Sequence, residues 1–191
     1  MTGQDFYQKR VMVACEFSGR VRNAFSKLGH DAWSCDFLSS ETPGNHIKGD
    51  VRDIDLTGWD IVICHPPCTY LTCANNRNWS KFHEEHEEAI SFVKWLLEWP
   101  TDCLALENPV GVLSTRIRKP DQIISPFMFG SPVSKRTCLW LKGLPCLVPS
   151  YPCKPVCCFT DNFRSSPRRS LYRSRTDKMV ASSMAQQWGS L

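Results

Sequence analysis

Apolar positions follow two different spacings along the first hundred residues. Short apolar runs, typical of buried strands, occupy residues 10–15, 31–37, 59–64 and 102–107. Between them, residues 21–28 and 82–99 carry apolar side chains at helical spacing, with Gly29 as a stop signal after the first stretch. Asn108 and Pro109 are expected to end the last strand. Strands that alternate with helices predict an α/β fold with a mostly parallel central sheet and helices on both faces.

The pattern changes after about residue 125. Residues 137–141 predict a further strand, for which antiparallel pairing is considered. Residues 143–170 are rich in Pro, Cys, Ser and Arg and show little periodicity, so a loop or a small subdomain is expected there. Residues 176–188 predict a closing helix.

Length and composition favour one globular domain, since the chain has 191 residues of which 42% are hydrophobic. No stretch reaches the ~18 apolar residues of a membrane span. The first residues lack the basic-then-apolar pattern of a signal peptide, so a cytoplasmic protein is expected. The eleven cysteines are odd in number and several lie in apolar runs, which favours reduced thiols over disulfides.

Charge is distributed unevenly along the chain. The net charge of +4 combines −6 over residues 1–113 with +10 over residues 114–191. A basic C-terminal part predicts contact with a polyanion, and a merely solvated basic face is the alternative.

Residues 61–68, Ile-Val-Ile-Cys-His-Pro-Pro-Cys, join an apolar strand to a stiff loop. The prolines cannot donate to a strand ladder, and Pro66 restricts His65 to extended geometry. Cys68 is therefore expected at the carboxyl end of a central strand, where open α/β sheets bind their ligands. This position predicts a nucleophilic thiol. The alternative is a turn that contains an incidental buried cysteine.

Polar residues also follow the other predicted strands. Residues 16–19, Glu-Phe-Ser-Gly, open the first helix, where a glycine allows close backbone approach and the helix end offers free amides. Asp36 ends the second strand, and residues 49–51, Gly-Asp-Val, supply another acid. Acids at successive loops indicate a cofactor with a nucleoside part, whereas ordinary capping and turn acids are the alternative.

Taken in order, these segments and two later ones resemble the DNA cytosine-C5 methyltransferases. The matching segments are Phe17-Ser18-Gly19 with Ala24 and Gly29, Asp36, Gly49-Asp50-Val51, Pro67-Cys68, Glu107-Asn108 and Lys135-Arg136-Thr137. The resemblance covers residues 1–141 and, loosely, 173–189. It extends to a compact group of phage-type and bacterial methylase-like proteins, which implies a bacterial or phage-infected cell.

The resemblance implies a Rossmann-like, S-adenosylmethionine-dependent methyltransferase fold. Residues 1–142 are then the catalytic core, and residues 173–191 its closing helix. Residues 143–172 form a Cys/Arg-rich loop or reduced recognition segment.

The resemblance and the positions of these residues together assign expected roles. The cofactor S-adenosyl-L-methionine is expected to contact Glu16, Phe17, Ser18, Gly19, Asp36, Asp50, Val51, His65 and Pro66. The DNA substrate is expected to contact Pro67, Asn108, Lys135, Arg173 and Arg175. Catalysis is expected from Cys68, Glu107 and Arg136. Further phosphate contacts are expected from Arg164, Arg168 and Arg169.

The implied chemistry begins with attack of the Cys68 thiolate on C6 of cytosine. Glu107 is expected to bond N3 and the amino group as a protonated or proton-sharing acid, which requires a raised pKa. Arg136 is expected to hold the base or a phosphate. The predicted activity is methyl transfer to C5 of cytosine in DNA, with base flipping in a duplex.

Two alternatives change the acceptor or the activity. Only residues 143–172 stand where the family has a long recognition region, so a free deoxycytidine nucleotide or RNA is an alternative acceptor. A catalytically silent nucleic-acid-binding module is the other alternative. The loop 65–68 also resembles the Asp/Asn-Pro-Pro-aromatic loop of amino-methyltransferases, but Glu107 favours C5 chemistry.

No metal is predicted. Cys146, Cys153, Cys157 and Cys158 lie within 13 residues but lack paired Cys-x-x-Cys spacing, so free thiols are favoured over zinc. His83 and His86 are expected at the surface, and Trp140 is expected in the core. Tyr70 and Trp79 are candidates to stack on a base.

Overall fold

The computed structural model describes residues 7–72, 81–155, 157–158 and 169–191, with the side chains of 157–158 and 169–170 left out. The strands are β1 (Arg10–Ala14), β2 (Asp31–Asp36), β3 (Asn45–Lys48), β4 (Ile61–Cys64), β5 (Leu104–Pro109), β6 (Gln122–Ile124), β7 (Val133–Ser134), β8 (Thr137–Lys142) and β9 (Cys157–Cys158). The helices are α1 (Arg20–Lys27), α2 (His83–Leu97), α3 (Leu113–Arg116), α4 (Arg169–Ser174) and α5 (Lys178–Gly189). None of these helices is long and apolar enough to cross a membrane.

Seven strands form the main sheet, in the order β3-β2-β1-β4-β5-β8-β6. The first five in this order are parallel neighbours, β8 is antiparallel to β5, and β6 is antiparallel to β8. The chain proceeds outward from β1 to β3 and then returns to place β4 on the other side of β1. Open α/β sheets bind ligands at such a reversal of strand order, outside the carboxyl ends of the strands.

Both faces of the sheet are covered because neighbouring strand residues point to opposite sides. Val11 and Val13 of β1 belong to a buried cluster with Phe25 of α1 and Trp188 of α5. The intervening Met12 belongs to a second cluster that includes Trp99, Trp140 and apolar residues of α2. The two clusters confirm the predicted layers, and they confirm Trp140 as a core residue.

The predicted mostly parallel α/β sheet is confirmed, and the strand at 137–141 is antiparallel. One boundary prediction was wrong: β5 continues through Asn108 and Pro109. Pro109 is tolerated because it occupies the last position of the ladder, opposite Thr137. The short strands β3 and β6 were not predicted, nor was α4, which begins inside the segment expected to be a loop.

Candidate active site

A cavity of about 510 Å³ opens at the carboxyl ends of the parallel strands. Its walls come from the ends of β1 and β2, the segment after β3, the loop after β4 and one face of α2. The lining residues are Cys15, Cys35, Asp36, Phe37, Gly49, Asp50, Val51, Arg52, Pro67, Tyr70, Glu85, Glu88, Ala89, Ser91, Phe92 and Trp95. The cavity therefore lies beside the reversal of strand order, and its size is in the range of small-molecule sites.

Three predicted cofactor residues, Asp36, Asp50 and Val51, are brought together in this cavity. Burial raises the pKa of Asp36, whose Oδ1 accepts a hydrogen bond from the Leu38 amide at 2.9 Å. Asp50 begins a 3-10 turn and pairs with Arg52 at 2.5 Å, and its hydrogen bonds from Arg52 lower its pKa. The Asp36 carboxylate thus has fewer hydrogen-bond partners in the protein than the Asp50 carboxylate, so it is more available to a ligand.

Residues 16–19, which were predicted to contact the cofactor, lie just before α1. The carboxylate of Glu16 accepts hydrogen bonds from the backbone amides of Val21 at 2.7 Å and Arg22 at 3.2 Å, so it caps α1. Ser18 and Gly19 line a second cavity of about 380 Å³ beside α1 and α5. Phe17 is buried. None of these four residues is among those that line the first cavity.

Gly19 is required by its conformation and its surroundings. Its φ is +67°, and a Cβ atom there would meet Thr42 Oγ1 at 2.2 Å and Arg22 Nη2 at 2.4 Å. Arg22 is fully buried, and its guanidinium bonds Ser34, Ser40 and backbone carbonyls of residues 42–43. This buried arginine holds the loop between β2 and β3 in place, a role that the sequence pattern did not indicate.

The loop 65–68 is fixed from several directions. The His65 amide donates to the Ala14 carbonyl at 2.9 Å, and Asn108 Nδ2 donates to the Pro66 carbonyl at 3.0 Å. The Cys68 carbonyl accepts from the Leu71 amide at 3.0 Å. Pro67 lines the first cavity, whereas Asn108 lies below the loop and supports it.

His86 supports the chain just after this loop, which corrects the expectation of a surface residue. It is fully buried on α2, and its Nδ1 is hydrogen-bonded to the Tyr70 carbonyl. Its ring also meets the Tyr70 ring edge-on, at 5.5 Å between centroids. His83 is exposed, as expected.

Glu107 forms a hydrogen-bonded cluster with His65 and Thr137. His65 Nδ1 lies 3.0 Å from Glu107 Oε2, and Thr137 Oγ1 donates to Glu107 Oε1 at 2.9 Å. The side chains of His65 and Glu107 are only 6% and 14% exposed. Since both carboxylate oxygens accept hydrogen bonds, the cluster favours the ionised form of Glu107.

The ionisation of Glu107 contradicts the predicted raised pKa. Burial raises the pKa of this carboxyl, but the hydrogen bond from His65, the charges of Lys135 and His65, and the hydrogen bond from Thr137 together lower it to about 2. In the free protein Glu107 is therefore a carboxylate and not a proton donor.

Cys68 is partly exposed and lies within the field of several charged groups. Burial raises the pKa of its thiol; among the charges, Lys135 and Arg173 lower it and Glu107 raises it. The net effect is a raised pKa, so the sulfur is held as a thiol in the free protein. For Cys68 to act as a nucleophile, another group has to accept the proton of its thiol.

Lys135 and Arg136, which precede β8, differ in their relation to Cys68 and Glu107. Arg136 is exposed, whereas the charge of Lys135 acts on both Cys68 and Glu107. Lys135 Nζ also donates to the Arg173 carbonyl at 3.1 Å, which ties α4 to the site. Within this basic segment, Lys135 is therefore a residue whose charge acts on the candidate site.

The two predicted substrate arginines of the C-terminal part differ in availability. Arg173 is exposed on α4, and its charge reaches Cys68. Arg175 instead pairs with Glu41 at 2.5 Å and stacks on the Tyr172 ring at 4.4 Å. Arg175 therefore holds the end of α4 against the β2–β3 loop.

Some predictions concern parts outside the described residues. These are Trp79, Arg164, Arg168 and the side chains of Arg169, Cys157 and Cys158. Within the described part, no group of three or more His, Cys, Asp or Glu residues has the arrangement of a metal site.

Reasoning from sequence missed several residues that shape the site. The pairing of His65 with Glu107 and Thr137 joins segments that are far apart in sequence, and no local pattern signals it. Phe37, Phe92 and Trp95 line the cavity, and the last two belong to α2, whose apolar face was interpreted only as core.

Comparison with known proteins clarifies the fold. No family model and no curated protein matches the sequence. The structure is similar to that of the methyltransferase EhMeth from Entamoeba histolytica, with a TM-score of 0.51 and 16% identity over 77% of this chain and 58% of that one. The chain therefore shares a Rossmann-like fold with this methyltransferase. The predicted fold class is thereby confirmed.

A second similar structure is a DNA modification methyltransferase encoded within an Escherichia coli prophage. Its TM-score is 0.48, with 13% identity over 77% of this chain and 52% of that chain. The present chain thus spans between 52% and 58% of the lengths of these two proteins.

Proposed function

We propose that this protein is an S-adenosylmethionine-dependent methyltransferase that modifies C5 of cytosine in DNA through a covalent bond between Cys68 and C6. The observation that carries the proposal is the position of Cys68 at the carboxyl end of β4, in the field of Glu107 and Lys135 and next to Pro67, which lines the large cavity. Amine methylation needs no such thiol.

The large cavity fits the cofactor in size and in chemistry. Asp36 is placed to accept hydrogen bonds from ribose hydroxyls, as the acid after the second strand does in dinucleotide folds. Phe37 and Val51 supply apolar surface for a purine, and Phe37 is 67% exposed at the opening. When bound, S-adenosylmethionine supplies the activated methyl group.

The protein's own residues then account for activation of the base. The Cys68 sulfur forms a bond to C6, which moves electron density onto C5. As a carboxylate, Glu107 accepts a hydrogen bond from the exocyclic amino group, since each of its oxygens has a second lone pair. Lys135 offsets the negative charge that develops on the ring. Loss of the C5 hydrogen and of the sulfur restores the aromatic ring.

A DNA acceptor is supported by the charge distribution. Lys135, Arg136 and Arg173 lie in the part of the chain with a net charge of +10, and the charges of Lys135 and Arg173 act on Cys68. Phosphate contacts from such residues position a nucleic acid and help to offset the few kcal/mol needed to flip a base.

Release of tritium from C5 of cytosine tests this proposal. The full-length protein is incubated with C5-tritiated DNA, RNA or dCMP, each with and without S-adenosylmethionine. Cofactor-dependent release from DNA is expected from the wild type and from Cys146→Ser, whose thiol is exposed and outside the site. Cys68→Ser should release no tritium.

Each outcome has a distinct meaning. Tritium release only from dCMP or only from RNA would mean that this molecule, and not DNA, is the acceptor. The proposed chemistry at C5 of cytosine would stay the same. Full release by Cys68→Ser would disprove the nucleophile. Salt-sensitive DNA binding without release from any acceptor would favour a silent binding module.

A further inference from the structure

His65 is held in one orientation by two hydrogen bonds. Its amide donates to the Ala14 carbonyl at 2.9 Å, and its ring Nδ1 lies 3.0 Å from Glu107 Oε2. Because Glu107 is a carboxylate that also accepts from Thr137, the proton of this contact belongs to Nδ1 of His65. In the neutral ring, this leaves the other nitrogen, Nε2, as an acceptor.

The Nε2 atom of His65 is the unusual feature of this arrangement. It is buried and has no hydrogen-bond partner among the described residues. Buried polar atoms are nearly always paired, so an unpaired acceptor beside a candidate nucleophile needs an explanation. A side chain whose proton-accepting nitrogen is kept without a partner is suited to receive a proton from a neighbouring group.

Cys68 is the nearby group that has a proton to give. It follows His65 by three residues in the same proline-containing loop, and the charge of Glu107, the partner of His65, reaches its sulfur. Its thiol is held in the protonated form by burial, and nucleophilic attack requires the thiolate. A nucleophile, a base and an acid that orients the base are the parts of a catalytic triad.

We propose that His65 is the base that removes the thiol proton of Cys68, and that Glu107 is the positioning residue for His65. This inference rests on the proposed nucleophilic role of Cys68. The S–H bond breaks, its proton moves to Nε2, and the electron pair remains on sulfur to form the bond to C6. The Glu107 carboxylate offsets the charge of the resulting imidazolium. When sulfur leaves C6, it recovers the proton from Nε2.

Proton transfer requires the sulfur to come within hydrogen-bond reach of Nε2, which has no partner among the described residues of the free protein. Such contacts often tighten only when substrate binds. The other charged groups that act on the thiol are Lys135, which precedes β8, and Arg173 of α4. Both charges favour the thiolate form of Cys68. Neither residue is replaced in the alkylation experiment below.

Alkylation of Cys68 tests the base without any substrate. The full-length wild type, His65→Gln and the control His83→Gln are treated with iodoacetamide between pH 5 and 10, and labelling is quantified by peptide mass spectrometry. Cys146, which is exposed, serves as the internal reference in every sample. His83 is an exposed histidine on α2, so its replacement should change nothing.

The proposal expects the Cys68 thiol of the wild type to be alkylated at pH 7 with the help of His65, which takes up its proton. In His65→Gln the rate at pH 7 should fall by about tenfold or more, because a rise of one unit in the pKa of a thiol lowers its thiolate fraction tenfold. The reactivity of Cys146 stays the same. Equal pH profiles for Cys68 in the wild type and His65→Gln would overturn the proposal.

A second variant keeps the proposal testable even if His65→Gln does not fold. Glu107→Gln keeps the His65 ring and the Cys68 thiol but removes the carboxylate that positions the ring. Alkylation of Cys68 at pH 7 should slow in this variant, although loss of the negative charge of Glu107 would by itself speed it. Alkylation as fast as in the wild type, or faster, would refute the assignment.

These readouts are separate from the proposed methyl transfer. Slower alkylation of Cys68 in His65→Gln with no tritium release from any acceptor would support the base but not the cytosine chemistry. Tritium release with unchanged alkylation profiles would support the cytosine chemistry and reject His65 as the base.

Discussion

Asn108 of β5 donates a hydrogen bond from its buried Nδ2 to the carbonyl of Pro66, 42 residues earlier, at 3.0 Å. The bond connects the segment that carries Glu107 to the loop that carries Cys68. The resemblance to DNA cytosine-C5 methyltransferases suggested that Asn108 contacts substrate. Its position instead indicates that it sets the geometry between the two predicted catalytic residues.

Replacement of Asn108 should therefore destabilise the protein. Asn108→Ala leaves the Pro66 carbonyl without its partner and should lower the free energy of unfolding by about 1–3 kcal/mol. Asn108→Asp should cost more, because a carboxylate oxygen then faces a carbonyl oxygen. Urea denaturation measures both, with Gln8→Ala as the control, since Gln8 makes an exposed bond to the Gly29 carbonyl. Equal stability of Asn108→Ala and wild type would contradict this role.

Replacement of Gly111 is also expected to destabilise the protein, for a steric reason. A Cβ atom at this position would lie 1.8 Å from the Leu71 carbonyl oxygen, so an added methyl group must displace the backbone that follows Cys68. Gly111→Ala should lose about 1–3 kcal/mol of stability, in the range of overpacked sites. Gly49→Ala is the control, since nothing lies within 4 Å of its added Cβ. Thermal unfolding of the two variants compares them, and equal melting temperatures would show that the loop can move without cost.

Much of this fold could be predicted because its strands are short apolar runs with local signals at their ends. β1, β2, β4 and β8 were predicted to within a few residues, as were α1, α2 and α5. β3 has the sequence Asn-His-Ile-Lys, with partly or fully exposed side chains, so it has no apolar pattern. It forms because it pairs with β2 at the edge of the sheet. Such tertiary pairing overrides local propensity.

The sequence indicated candidate residues for the site but not their contacts. Cys68, Glu107 and Asp36 were predicted because each lies at or just after the carboxyl end of a predicted strand, and the carboxyl ends of parallel strands meet at one edge of the sheet. The ionisation state of Glu107 was not predictable, since it depends on the His65 and Thr137 contacts. The hydrogen bonds by which Glu16 caps α1 were not predicted, because an acid before a helix can either bind a ligand or cap the helix.

The stability of the protein should depend on the ionisation of Glu107 at acidic pH. Its pKa is lowered from 4.5 to about 2 in the folded protein. A lowered pKa stabilises the folded state above the unfolded value and loses this effect as pH falls from about 4.5 towards 2. The shift corresponds to about 3 kcal/mol, as an order of magnitude.

Urea denaturation at several pH values between 5 and 2 measures this dependence. The wild type should lose more stability over this interval than Glu107→Gln, which cannot ionise. Glu87→Gln is the control, because Glu87 is an exposed partner of Arg116 and its ion pair is screened by water. Parallel curves for wild type and Glu107→Gln would exclude the carboxylate as the cause.

Glu16 should act on stability and not on cofactor affinity. Glu16→Ala removes the acceptor for the amides of Val21 and Arg22, and loss of such a cap costs about 0.5–2 kcal/mol. Glu16→Gln keeps one acceptor oxygen and should lose less. Denaturation gives the stability, and calorimetry with S-adenosylhomocysteine gives the affinity of the folded fraction. A large loss of affinity without loss of stability would restore the role first predicted for Glu16.

Replacement of Asp36 should instead change cofactor affinity more than stability, because its carboxylate lines the cavity. If it accepts hydrogen bonds from ribose hydroxyls, Asp36→Asn should weaken S-adenosylhomocysteine binding about ten- to hundredfold, as expected for hydrogen bonds to a charged group. Asp55→Asn, an exposed acid that bonds only Thr57 in its own turn, is the matched control. Because burial raises the pKa of Asp36, affinity in the wild type should begin to fall at a higher pH than for an exposed aspartate. Calorimetric titrations from pH 7 to 4 test both effects, and an affinity that is independent of Asp36 and of pH would place the nucleoside elsewhere in the cavity.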